Sequence, residues 1–184
     1  MKITNLSKSF GNTVIFNKLN LTIPNGKISF IMGKSGAGKT TLLRIIAGLD
    51  KDYTGTIENS GKLSYVFQEP RLFPTLSAIN NITLVNENST FDAHRLLSMM
   101  ELDGCENMMP SELSGGMKMR LSIARAIYYD PDIIIMDEPF SAIDKETRHS
   151  VAQKLFKLLE GKTVIIVSHD SSDAEKYADN IITI

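Results

Sequence analysis

The segment Gly33-Lys34-Ser35-Gly36-Ala37-Gly38-Lys39-Thr40 has the spacing G-x-x-x-x-G-K-[ST]. Its glycines let successive backbone N–H groups curl around phosphate oxygens, and a helix starting at its end would add a positive pole. Lys39 can then reach the β- and γ-phosphates of a nucleotide, and the Thr40 hydroxyl can ligate Mg²⁺. A merely flexible turn would leave Lys39 without a purpose. A second pair of reactive groups, Asp137 and Glu138, closes the apolar run Ile133-Ile134-Ile135-Met136. There Asp137 can hold the water shell of Mg²⁺, and Glu138 can polarise an attacking water. In isolation the same two carboxylates could simply end a strand and cap the next turn; with the glycine loop upstream, hydrolysis is the better reading. A third segment, Leu113-Ser114-Gly115-Gly116-Met117, offers a hydroxyl and unhindered N–H groups at a helix start. It can bind phosphate, yet a helix cap with permissive glycines explains Ser114 and one glycine equally well.

The surrounding elements must present these groups. Lys27 to Met32 is a short apolar run ahead of the glycine loop, and Leu42, Leu43, Ile45, Ile46 and Ala47 recur at helical spacing after it until Gly48. Before it, Thr13 to Ile23 alternates apolar and polar residues and ends in the turn Pro24-Asn25-Gly26. Short strands are expected at Gly55 to Glu58 and Leu63 to Phe67, then a helical insert rich in Asn, Ser and Met from about Pro70 to Pro110. Ser114 caps a helix reaching about Tyr128, which Asp130-Pro131 ends. The buried strand Ile133 to Met136, a helix over Lys145 to Leu159, a strand over Thr163 to Val167, a helix over Ser171 to Tyr177 and a strand over Ile181 to Ile184 complete the chain. Strands alternating with helices imply an α/β fold with a parallel sheet, whose ligands sit at the carboxyl ends of the strands.

Taken in order, Gly33 to Thr40, Gln68, Leu113 to Gly116, Asp137-Glu138, Ser141-Ala142-Ile143-Asp144 and His169 closely resemble the ATP-binding cassette (ABC) ATPases, over essentially the whole chain. The resemblance implies a P-loop NTPase fold: a mostly parallel central sheet, an N-terminal antiparallel β subdomain and a small helical subdomain at about 70–113, all in one domain spanning 1–184. It implies ATP and Mg²⁺ as ligands, with Phe10 stacking on adenine and Gly33, Ser35, Gly36, Ala37, Gly38, Lys39, Thr40 and Thr41 around the phosphates. Thr40, Gln68 and Asp137 then serve the metal. Glu138, His169, Gln68 and Lys39 serve the reaction, His169 by touching the γ-phosphate and positioning the water. It also implies a head-to-tail pair of cassettes, in which Ser114, Gly115 and Gly116 of one close over ATP held by the other and Asp144 belongs to the loop crossing between them. Without that pattern Phe10 reads as a strand-end core residue, Gln68 as an exposed loop residue and His169 as part of a helix start.

The run Tyr65 to Pro74 looks most like importer cassettes of the nitrate, sulfonate and taurine type. Met117 stands where many cassettes have Gln, and Ile143 where many have Leu. An ATPase subunit driving solute movement through separate permease subunits is therefore expected. A soluble ABC clamp without a permease is the alternative, although no basic tail or coiled-coil insert supports it. A small-molecule kinase would use Lys39 and Asp137 and leave Ser114 to Gly116 idle.

Composition sets bounds on these readings. The chain has 184 residues, 42% hydrophobic and 22% charged, which suits one globular domain and not a disordered chain. With 20 Lys+Arg against 21 Asp+Glu, no global field favours nucleic acid or anionic lipid. The single cysteine, Cys105, rules out an internal disulfide and fits a reducing compartment. No apolar run approaches the roughly 20 residues of a bilayer span, so the chain is expected to be cytoplasmic, reaching the membrane only through its permease. It is also expected to lack C-terminal regulation, since it stops after its last strand. His94, His149 and Cys105 read as surface residues, and the pairs Met99-Met100 and Met108-Met109 as filler in the helical insert.

Overall fold

A computed structural model describes residues 1–184. Its frame is a five-stranded sheet in the order β5-β6-β7-β3-β8, with every neighbouring pair parallel. The strands are β3 (Ile28–Met32), β5 (Leu63–Val66), β6 (Ile133–Asp137), β7 (Thr163–Val167) and β8 (Asn180–Thr183). Both faces of this sheet are covered, which is why its inner strands read as unbroken apolar runs. Ile134, Met136, Val164 and Ile166 face one core, and Ile133, Ile135, Ile165 and Val167 face the other.

The second of these cores is closed by α1 (Lys39–Ile46) and by a three-stranded antiparallel sheet, β2 (Thr13–Thr22), β1 (Lys2–Phe10) and β4 (Thr54–Glu58). The first core runs without a break from the central sheet through α4 (Gly115–Tyr128) and α5 (Lys145–Leu158) into α2 (Ala78–Thr83) and α3 (Ala93–Met99). The last helix, α6 (Ser171–Tyr177), follows β7. No helix is long and apolar enough to cross a membrane.

Local chemistry explains the helix starts. Ser77, Asp92, Ser114, Asp144 and Asp170 each turn a side-chain oxygen onto an N–H of the first turn of the helix that follows. Asn81 is fully buried, and its amide donates to the carbonyls of Phe73, Leu76 and Ser77 while its oxygen accepts from the Phe73 N–H. One side chain thus fixes the entire turn from Phe73 to Ser77.

Several expectations are corrected. The antiparallel N-terminal subdomain is present, but its strand β1, Lys2–Phe10, lies ahead of the first strand whose bounds the sequence suggested. Cys105 is not on the surface: it is 9% exposed and packs in the same core as Leu96, Leu97 and Leu102, as a small apolar side chain does. Of the methionine pairs, Met100 is fully buried and Met99 and Met108 lean on the core, but Met109 is exposed. His94 and His149 are exposed, as expected.

Candidate functional site

The carboxyl ends of β3, β6 and β7 point to one edge of the parallel sheet, and each runs directly into a segment with chemistry: β3 into the glycine loop, β6 into Asp137-Glu138, β7 into Ser168-His169. The loop ends at Gly38, whose φ of 91° is left-handed and which N-caps α1. A Cβ there would also meet Ile15 Cγ2 at 2.5 Å and Phe16 Cζ at 2.9 Å, so only glycine lets the loop lie this close to β2. Lys39 is buried, and its ammonium donates to the carbonyls of Gly33 and Lys34, both at 2.9 Å. The positive group is thus held over the concave side of the loop without a carboxylate partner.

A cleft of about 370 Å³ opens here, lined by Ser35, Gly36, Gly38, Lys39, Thr40 and Thr41 from the loop and α1, Gln68 from the segment after β5, Glu138, and His169, with Ile15 and Val167 as apolar walls. A second cleft shares Thr40 and Gln68 with it and adds Tyr65 and Asp137. Asp137 lies between two hydroxyls: Thr40 donates to Oδ1 at 3.2 Å and Tyr65 to Oδ2 at 3.4 Å. Burial pushes the Asp137 carboxyl up, against the pull of those two bonds. Burial and the Asp137 charge push the Tyr65 hydroxyl up in turn, so it remains a donor.

Glu138 follows with a φ of 51°, a left-handed backbone rare outside glycine, and its N–H donates to the Val167 carbonyl at 2.9 Å. That turn swings its side chain to the end of β7. Oε2 accepts from the His169 N–H at 3.3 Å, and Oε1 lies 3.1 Å from His169 Nε2. The contact to Nε2 is close but poorly aligned, and Oε1 accepts no hydrogen bond although it is buried. Burial pushes the Glu138 carboxyl up, with the neighbouring His169 and its N–H opposing. The His169 side chain is 61% exposed. Asp170 alone caps α6, accepting from the Ser172 N–H at 2.9 Å, which leaves the imidazole free to serve the cleft.

Other expected positions lie outside this cleft. Phe10 ends β1 with 53% of its surface exposed, so it is no core residue; Lys8 sits 4.7 Å from its ring centre. Ser114 N-caps α4 by accepting from the Met117 N–H at 3.2 Å, as a plain cap would, and Gly115 and Gly116 form the first turn. A Cβ on Gly116 would approach the Ala142 carbonyl oxygen to 2.9 Å, so α4 begins directly against the loop that ends at Asp144. Asp144 itself is exposed. None of Ser114, Gly115, Gly116 or Asp144 lines the cleft around Lys39. Ile15 and Tyr65 are not among the expected site residues; the one available signal is a tyrosine on a short strand just before Gln68, where a buried hydroxyl needs a partner.

The donors suit Mg²⁺ bound beside phosphates. No group of three or more His, Cys, Asp or Glu side chains forms a cage, whereas one hydroxyl and one carboxylate stand together, and Mg²⁺ typically takes one or two protein oxygens and completes its shell with water and substrate phosphate.

A model of the ABC transporter family matches residues 16–141. The aliphatic sulfonates import ATP-binding protein SsuB 2 of Pseudomonas syringae pv. tomato is 39% identical over 181 residues, covering 95% of this chain and 78% of its own. The SsuB protein of Corynebacterium glutamicum is 35% identical over 189 residues, covering 98% and 78%. Among solved structures, the dimeric post-hydrolysis state of the ATP-binding cassette MJ0796 bound to ADP and Pi superposes with a TM-score of 0.86 at 33% identity, over 100% of this chain and 93% of that one.

Proposed function

This chain belongs to the ABC transporter family of ATP-binding subunits, and we propose that it hydrolyses MgATP to power uptake of a small solute, of the sulfonate class, through a separate membrane permease. One observation carries the catalytic part: Lys39, Thr40, Gln68, Glu138 and His169 line a single cleft at the carboxyl edge of the sheet. We assign 1–184 to one ABC ATPase domain, with the helical subdomain at about 70–113.

In this reading the loop N–H groups and Lys39 hold the triphosphate, and the ammonium exchanges its carbonyl partners for phosphate oxygens. Phe10 offers an exposed ring to the adenine. Thr40 and Asp137 would hold the Mg²⁺, which would neutralise charge on the phosphate oxygens. Glu138 takes the proton of the attacking water on Oε1, the buried oxygen without a donor. His169 contacts the γ-phosphate and steadies Glu138, and Gln68 senses both metal and γ-phosphate. The placement of Ser114 to Gly116 and Asp144 outside the cleft supports a role across a head-to-tail dimer, where they would meet ATP held by a second cassette. A small-molecule kinase has no use for that surface. Measuring phosphate release from MgATP alone decides between the two: steady release supports the ATPase, and turnover only on adding acceptor alcohols or amines contradicts it.

Phe10→Ala is expected to weaken ATP by roughly 1 to 3 kcal/mol, the scale of base stacking on an aromatic side chain. Calorimetry checks it, and an equal loss for inorganic triphosphate would mean the ring does not stack on the base.

The permease is expected to dock on the turn that Asn81 fixes. Phe73 is 44% exposed there on a backbone held by Asn81, while Leu72 beside it packs against the core. Phe73→Asp should abolish co-purification with a co-expressed permease and leave basal ATPase nearly intact. Retained co-purification contradicts the docking site. Such docking would place this subunit on the cytoplasmic face of the membrane.

A further inference from the structure

Arg148, one turn into α5, lies where three segments leave the cleft. Its guanidinium Nη2 is 2.5 Å from Asp173 Oδ2 and 2.8 Å from Asp170 Oδ2, and its Nε donates to the same Asp173 oxygen at 3.2 Å. Its other neighbour is the ring of Phe140, 5.7 Å away, two residues beyond Glu138. Asp170 immediately follows His169, and Asp144, four residues before Arg148, caps the helix that carries it. The three chain segments bearing Glu138, Asp144 and His169 therefore converge on one cation. We propose that Arg148 is a positioning residue that holds His169 in register with Glu138.

The need for such a clamp follows from how little else fixes His169. Its imidazole is mostly exposed and lies near Glu138 Oε1 without a hydrogen bond, while its backbone is held by the His169 N–H on Glu138 Oε2 and by the turn closed by the Asp170 N–H on Ser168 Oγ at 3.1 Å. Packing does not orient the ring, so its direction depends on the backbone of residues 168–171. That backbone is pulled toward α5 by Asp170 and, in the first turn of α6, by Asp173, whose side chain is only 11% exposed. Hydrogen bonds from Ser172, and then Arg148, hold the Asp170 carboxyl below its ordinary range, so that arm of the clamp is charged in neutral solution. Without Arg148, Asp173 keeps a largely buried charge with no counter-ion and repels Asp170, and α6 must shift to hydrate it. The shift would be passed to His169 through a single peptide.

This inference rests on the role given to His169 above, and the experiment separates the two. The intact chain is prepared as R148M, which keeps the apolar stem, as H169A, and as the double variant. Expected for R148M is turnover reduced by about 10- to 100-fold, the scale of a misplacement near 1 Å, with ATP affinity by calorimetry held within about threefold. Amide exchange should quicken at His169 and Asp170 while β7 remains protected. In the H169A background R148M should cost less than about twofold more, since the two act as one unit. A slow H169A in which R148M adds its full loss overturns the clamp and leaves the role of His169 standing. A fully active H169A overturns both. Equal falls in affinity and turnover, or exchange that quickens across β7 as well, would mean that Arg148 supports the fold only. If R148M does not fold, R148K carries the same cycle; a lysine retains the charge but meets one carboxylate at a time, so a smaller loss that vanishes in H169A is expected.

Discussion

Glu138→Gln is expected to lower MgATP turnover by about 10²- to 10⁴-fold, the usual contribution of a general base, while ATP still binds. The substitution keeps the shape and, with the amide oxygen in the place of Oε2, the bond from the His169 N–H; an NH2 group then replaces Oε1 and cannot take a proton. It should also leave the fold intact: the left-handed backbone at residue 138 suits a glutamine as well as a glutamate, and the Glu138 N–H to Val167 bond involves no side chain. Burial pushes the carboxyl up from its ordinary range, which brings a base closer to neutrality. The folded value lies above the unfolded one, so the charged form costs stability as pH rises through it. Glutamine has no such cost, and the variant should be at least as stable as the wild type in neutral buffer.

The acidic limb of the rate profile gives a second reading. Wild-type turnover should fall on acidification at a pH above the ordinary carboxylate range, as Glu138 takes up a proton, and the residual rate of the variant should lack that limb. With hydrolysis blocked, ATP should hold two cassettes together, and sedimentation with MgATP should show a dimer. A variant that turns over normally would remove Glu138 from the reaction; one that binds ATP and stays monomeric well above its nucleotide affinity would remove the head-to-tail pair.

What could be read along the chain, and what could not, follows from the range of the interactions. The glycine loop, the helix after it and the buried strands were legible because each is set by its own residues: glycines punctuate, and a sheet covered on both faces imposes continuous apolar runs. Strand β1 was not, because its alternation is broken. Register shifts separate Ile3, Leu6, Lys8 and Ser9 along it, Asn5 adopts a φ of 53°, and Lys8 is buried on the strength of Asp50 and Asp52, more than forty residues away. Cys105 reads as a surface residue along the chain because nothing local shows that the insert packs it into the core that also holds Leu97. The residues around the site divide in the same way. Lys39, Thr40, Asp137 and Glu138 sit in contiguous motifs, whereas Tyr65 reaches Asp137 from a different strand and Arg148 meets Asp170 and Asp173 only once α5 and α6 are packed. Spacing along the chain carries no trace of either meeting.

Lys39→Ala is expected to remove most ATP binding. Hydrogen bonds to charged groups contribute about 1.5 to 3 kcal/mol each, so losing two phosphate contacts should weaken affinity by about 100-fold or more. The two carbonyls that hold the ammonium, Gly33 and Lys34, are acceptors as phosphate oxygens are, and they show that the side chain can offer two donors beside the loop at once. Truncation has a second consequence. The loop would lose the only side chain that ties its two ends together, although Gly38, wedged against Ile15 and Phe16, still fixes its exit. A loop that relaxes without Lys39 should bind every anion less well, whereas loss of charge alone should grade with the charge of the ligand. Calorimetry with ATP, ADP and adenosine separates the two. The expected order is a large loss for ATP, a smaller one for ADP and almost none for adenosine, whose contacts would lie with Phe10 in the proposed binding mode. Unchanged ATP affinity would contradict the assignment of Lys39, and an equal loss for all three would mean that the lysine maintains the loop and does not bind phosphate.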